Sequence, residues 1–119
     1  MSIDSLPKPV SAYIAATNAF DIEAVMATLA ADALVNDHRN EFVGLEAIRD
    51  WAQREIVSDR VTMQVTDAAC RGSAVAVTAI IGGNFDKTGL PDPLMLTFYF
   101  SVSGERIDQL VIVHNKPAA

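Results

Sequence analysis

The chain is poor in the residues that most often advertise chemistry. It holds one cysteine, Cys70, two histidines, His38 and His114, and one tryptophan, Trp51, in 119 residues. A single cysteine excludes an internal disulfide. Cys70 stands in apolar, strand-like text, which predicts a buried and inert thiol. Two histidines with no cysteine near them show no recurring ligand spacing, so no metal site is expected. Basic residues are also scarce: nine Lys and Arg against fifteen Asp and Glu give a net charge of -6. They are scattered singly, and without a basic stripe there is nothing to displace counterions from a phosphate backbone, so no nucleic-acid partner is expected. No apolar run reaches the length of about 20 residues needed to span a bilayer. The opening Met1-Ser2-Ile3-Asp4-Ser5-Leu6-Pro7 lacks a basic stretch followed by an apolar one, unlike a secretory signal. A soluble, cytoplasmic protein with no membrane partner is the expectation. Neither a phosphate-binding glycine loop nor a nucleophile motif is present.

What the chain does have is apolar content. Half of its residues are hydrophobic and a fifth are charged, the balance of a folded domain. Its length predicts one domain over residues 1–119, burying roughly two thirds of the surface its unfolded chain exposes.

Hydrophobic period divides the chain. Val10, Tyr13, Ile14 and Thr17 recur at helical spacing, after Pro7 and Pro9 at a helix entrance. Asp21 is a good N-cap for a second helix with the stripe Ile22, Val25, Met26 and Leu29. Ala33 to Asp37 and Glu41 to Val43 read as short strands. Gly44 breaks the run, and a third helix follows with Leu45, Ile48, Trp51, Ala52 and Ile56 facing inward. From Arg60 the period becomes two: Val61, Met63 and Val65 alternate with Thr62, Gln64 and Thr66. Strands follow over Ala74 to Ile81, Leu94 to Val102 and Ile107 to His114. Gly82 to Pro93, with three glycines and two prolines, reads as a bulge and loop.

Helices followed by antiparallel strands predict an α+β domain. Val75 to Ile81 and Leu110 to Val113 are apolar on both faces, whereas a sheet with one wet face should alternate. The helices cover one face only, so a homodimer packed through the other sheet face is expected.

The stretches Tyr13-Ile-Ala-Ala-Thr-Asn-Ala-Phe-Asp21, Leu29-Ala-Ala-Asp-Ala-Leu-Val35, Gly44-Leu-Glu-Ala-Ile-Arg-Asp-Trp51, Gly83-Asn-Phe85 and Leu96-Thr-Phe-Tyr-Phe100 carry a resemblance over nearly the whole chain. It resembles the nuclear transport factor 2-like superfamily, in its SnoaL-like and ketosteroid isomerase-like branch. The resemblance implies a cone-shaped roll: three N-terminal helices packed on a curved, mixed-order antiparallel sheet that encloses a pocket. Tyr13 falls on the tyrosine that the isomerases carry in their first helix, and Asp37 on the general-base aspartate ending their first strand. Leu96 falls where they keep a second, protonated acid, so that donor is missing. Trp51 falls on a pocket aromatic of the third helix, and His114 near one at the end of the last strand. Met26, Met63, Leu96, Phe98, Leu110 and Ile112, with Trp51, are the expected pocket walls.

These residues suit a definite chemistry. A carboxylate at the edge of an apolar cavity loses hydration and becomes a stronger base, able to take a proton α to a carbonyl. A hydroxyl already in place stabilises the enolate that forms. Asp37 is then the base, Tyr13 the donor and His114 a proton shuttle, with no cofactor. Two functions stay open at this point. One is an acid–base enzyme of isomerase, cyclase or dehydratase type acting on a small apolar carbonyl compound. The other is a non-catalytic module that binds a small molecule or a partner.

Overall fold

A computed structural model of the protein describes residues 6–114. The stretch Met1 to Pro7, read above as unlike a secretory signal, lies largely outside the described residues, as do the two ends of the expected 1–119 domain.

Helix α1, Lys8–Asn18, begins after Pro7 with Pro9 in its first turn, and buries Val10, Tyr13, Ile14 and Thr17 as the period predicts. Phe20, at a φ of 56°, turns the chain into α2, Ile22–Ala27. The Asp21 carboxylate caps this helix by accepting from the Ala24 N–H at 3.1 Å. The second helix is shorter than its stripe implied. It ends when the Thr28 hydroxyl donates to the Val25 carbonyl at 2.7 Å, and Leu29 is the first residue of a strand. A side chain bonding back to the helix competes with its continuation.

Strand β1, Leu29–Asp37, and strand β2, Asn40–Val43, form a hairpin whose two turn residues, His38 and Arg39, both have positive φ. This is the turn whose twist suits a two-residue hairpin. Helix α3, Leu45–Ala52, follows and runs on into a π-helical segment, Gln53–Ser58. Ile48, Trp51, Ala52 and Ile56 are buried as expected, but Leu45 is 37 % exposed at the start of the helix, before it reaches the core. The three helices are thus not all N-terminal to the sheet, because the β1–β2 hairpin separates α3 from the first two.

Strands β3, Thr62–Arg71, β4, Ala74–Gly82, β5, Met95–Ser103, and β6, Arg106–His114, complete one six-stranded sheet ordered β2-β1-β6-β5-β4-β3. The β1–β6 pair is parallel and every other pair is antiparallel. The sheet is therefore mixed, and it is not closed into a barrel. A bulge between Val65 and Asp67 resets the side-chain parity of β3. Cys70 is exposed, against expectation. It lies opposite Val75 near the far end of the edge strand, where no helix covers it.

Register orders the covered face into rows. Val35, Leu110, Phe100 and Val75 lie side by side, and Tyr13 of α1 packs edge-on against Phe100 at 5.4 Å. That row is fully buried. The next contains Asp37, Ile112, Phe98 and Val77, and a third contains His114, Leu96 and Ala79. At the other edge, Asn18 clamps α1 to β3, donating to the Met63 carbonyl at 3.0 Å and accepting from its N–H at 2.7 Å.

Candidate active site

The row ending in Asp37 is where the core opens. A cavity of about 240 Å³ lies between the sheet, α1 and the α3 extension. Tyr13 and Thr17 reach it from α1, Trp51 from α3, and Met63, Leu96, Phe98, Ile112 and His114 from the strands. The segment after β4 supplies Phe85, Leu90 and Leu94. Of the wall residues expected from sequence, Trp51, Met63, Leu96, Phe98 and Ile112 line this cavity. Met26 and Leu110 do not. Met26 is buried on α2 among core residues. Leu110 shares the face of Ile112 but belongs to the closed Val35–Phe100 row one step deeper.

Asp37 is fixed at the cavity edge by two neighbours. The Trp51 indole Nε1–H donates to Asp37 Oδ2 at 3.0 Å. The His38 Nε2 lies 3.4 Å from Asp37 Oδ1, and the Asp37 side chain is 20 % exposed. The left-handed turn at His38 makes this second contact, since a continued strand would send that ring to the opposite face. His38 in turn stacks on His114, ring centroids 3.9 Å apart and 29° between planes. The two histidines and Asp37 thus form one cluster at the rim. Burial lowers the His38 pKa below its ordinary value; the Asp37 charge opposes this and His114 adds to it.

Tyr13 reaches the same cavity from α1 and is 1 % exposed. Burial raises its pKa well above the phenol range, and the Asp37 charge adds to the rise, while the Thr17 hydroxyl offsets part of it. Tyr13 therefore keeps its proton at neutral pH and can act as a donor. Thr17 Oγ1 is itself buried and makes no well-formed hydrogen bond, although it neighbours the phenol.

Two lining carboxylates escaped the sequence reading. Glu55 and Asp59, from the π-helical segment and the turn after it, stand at the mouth. The steps Trp51, Glu55, Asp59, each four residues apart, were the available signal. The Glu55 pKa is raised, first by desolvation and then by the charges of Asp37 and Asp59, while the Arg54 charge offsets part of the rise. The Glu55 side chain is still substantially exposed, so solvent screens much of this effect. Among the described residues no group of three or more potential ligands is placed to hold a metal ion, and no helix is long and apolar enough to cross a membrane.

A six-stranded mixed sheet with helices on one face and a Tyr–Asp cavity beneath them is the nuclear transport factor 2-like architecture. The SnoaL-like domain family model matches residues 10–110, so the chain belongs to the SnoaL-like family. Among solved structures, it is similar to a candidate polyketide cyclase from Sinorhizobium meliloti, with 26 % identity and a TM-score of 0.85 over 95 % of this chain and all of that one. A ketosteroid isomerase-like protein from Catenulispora acidiphila, solved with trimethylamine, is 26 % identical with a TM-score of 0.76, over 92 % of this chain and 86 % of that one. A candidate polyketide cyclase from Xanthomonas campestris is 25 % identical with a TM-score of 0.75, over 90 % and 87 % of the two chains. Among curated proteins no match is found.

Proposed function

We propose that the protein is a cofactor-independent acid–base enzyme, of isomerase, cyclase or dehydratase type, acting on a small apolar carbonyl compound. The observation that carries this reading is that the Asp37 carboxylate and the protonated Tyr13 hydroxyl line one largely apolar cavity. Asp37 takes the proton α to the carbonyl, and Tyr13 donates to the oxygen on which negative charge develops. Trp51 holds the carboxylate in one orientation through its indole N–H. His114, stacked on His38 beside Asp37, is placed to pass the proton onward. Leu96 occupies the wall where the isomerases keep a second acid. A missing donor of this kind commonly costs about 3–4 kcal/mol of transition-state stabilisation, which favours substrates that enolise more readily than a steroid enone. We read the sheet as the curved wall of a cone over this cavity. We read its outer face, with Tyr99 49 % and Val113 37 % exposed, as a homodimer interface.

The test is turnover and binding by Asp37→Asn across a panel of enones, phenols and polyketide-like aromatics. Loss of turnover with the fold and ligand binding kept supports the enzyme. Equal turnover by parent and variant sinks it. A second reading, a non-catalytic binding module, draws on Asp37 being already engaged by Trp51 and His38. It predicts saturable binding, no turnover in the parent, and affinity indifferent to Asp37→Asn.

A further inference from the structure

The cavity of Asp37 and Tyr13 does not end in packed protein on its loop side. A second cavity, of about 420 Å³, adjoins it at the segment after β4, and Ile81, Phe85, Leu90 and Leu94 line both. A single layer of apolar side chains therefore parts the two spaces. Ile80 and Ile81 both line the second one. Consecutive strand residues point to opposite faces, so this space reaches around the end of β4 from the covered face of the sheet toward the open one.

The dividing layer stands on a segment tied at both ends. The Asn84 N–H donates to the Asp59 carbonyl at 2.6 Å, and the Leu94 carbonyl accepts from the Ile81 N–H at 2.9 Å. Between these ties the Leu90 N–H donates to the Lys87 carbonyl at 3.1 Å, and the Thr88 N–H to Asp86 Oδ1 at 2.9 Å. With the backbone held in this way, the layer opens by rotamer changes of Phe85 and Leu90. Phe85, Leu90 and Leu94 are only half-buried, with space on two sides. Apolar groups so placed forgo dispersion contacts, and packed interiors leave few voids larger than a water molecule. A space of this size is therefore no packing fault. Seven of its nine lining residues are apolar, and the other two, Lys87 and Asp92, are of opposite sign, so they favour no charged occupant.

We propose that the second cavity is a subsite for the hydrocarbon tail of a ligand whose carbonyl lies toward Asp37 and Tyr13, the tail passing between Phe85 and Leu90. The inference rests on the pocket reading above and narrows its ligand class to carbonyl compounds with a linear alkyl chain. A chain is slender enough to pass on a rotamer change, whereas a second ring would need the tied backbone to move. Phe85 and Leu90 then set which ligands extend beyond the first cavity.

The experiment measures binding of alkyl phenyl ketones, from acetophenone to decanophenone, by equilibrium dialysis at neutral pH. The proteins are the parent, Ile80→Trp, Pro91→Trp and Ala76→Trp. Ile80 and Pro91 line the second cavity only, so the first two variants fill it from the strand and from the loop. Ala76, on the same face of β4 as Ile80, lines neither cavity. The expected result is a parent affinity that climbs with chain length into the longest members, roughly fourfold per added carbon. In the filling variants the long ketones lose about tenfold or more while acetophenone binds as to the parent, and Ala76→Trp repeats the parent series. A parent affinity that stops rising after the shortest members overturns the inference and leaves the pocket standing. Long-chain affinity unchanged in both filling variants overturns it too, as does an equal loss in Ala76→Trp, which would assign the effect to the sheet face. Binding of no ketone at any length overturns both the inference and the pocket on which it rests.

Discussion

Replacing Gly83 by alanine perturbs the cavity from its loop side, and the structure sets the size of the effect. Gly83 has a φ of 144°, and a Cβ there would come to 2.8 Å from the Asp59 carbonyl oxygen and 3.1 Å from the Phe85 ring. The backbone conformation alone costs a non-glycine residue about 1–3 kcal/mol. The Asp59 carbonyl cannot retreat without loosening the 2.6 Å bond it accepts from the Asn84 N–H; a hydrogen bond of this kind contributes about 0.5–1.5 kcal/mol. A loss of about 1.5–4.5 kcal/mol follows from these two terms. Unfolding entropy near 2.1 cal/mol/K per residue makes that a fall in Tm of about 6–18 °C for a chain of this length. Gly89→Ala is the internal control. Gly89 also has a positive φ, 77°, but an added Cβ meets nothing within 4 Å, so its cost is confined to roughly 1 kcal/mol. Calorimetry measures both variants, and Trp51, the lone tryptophan, reports the cavity by fluorescence. Gly83→Ala should also red-shift the Trp51 emission, because the Phe85 side of the cavity loosens. Equal Tm losses in the two variants would refute the reasoning, since the clash at Asp59 would then contribute nothing.

Other outcomes follow from the site and the sheet. Trp51→Phe removes the donor to Asp37, and a double-mutant cycle with Asp37→Asn should return a coupling of about 1–2 kcal/mol in urea unfolding; a coupling near zero would mean the 3.0 Å contact does not stabilise the site. His38 binds its proton more weakly when folded, so the unfolded chain holds more protons below the ordinary value of 6.5, and the His38 contribution to stability falls as pH drops through that window. Imidazole titration by NMR should show the His38 midpoint rising in His114→Ala and falling in Asp37→Asn, because the first removes a lowering influence and the second a raising one. Val113→Lys with Tyr99→Lys, both on the uncovered sheet face, should shift light-scattering mass from two copies to one while leaving the far-UV spectrum unchanged.

Legibility in the sequence followed the distance over which each feature is decided. The α1 face was plain because Val10, Tyr13, Ile14 and Thr17 repeat within one element. The outward-facing apolar residues of β4 and β6 were visible in the same way. The β1 start at Leu29 was not, because it depends on the Thr28 hydroxyl turning back to Val25. Cys70 misled for a tertiary reason: apolar text predicts burial only where another element arrives to cover it. Met26 and Leu110 are apolar and buried, but which buried residues face a cavity is settled by cross-strand rows. Glu55 and Asp59 were not singled out, because only the packing of α3 and its extension on the sheet brings them to the cavity. His38 acquired its partners through a turn conformation that its neighbours do not announce.

The parallel pairing of β1 with β6 has a consequence for how the protein is made. Asp37 comes from the first third of the chain and Ile112, its sheet neighbour, from the last tenth. Without β6 the sheet falls into two pieces, β1–β2 and β3–β5, with no hydrogen bonds between them. During synthesis the carboxylate and half of its wall therefore wait, unpaired and partly apolar, until the closing strand leaves the ribosome. Such long-range closure is slow because its entropy is lost before its contacts form, and the waiting strands are open to pairing with other chains. A chain lacking β6 would hold two sheet fragments joined only through the helices packed on them.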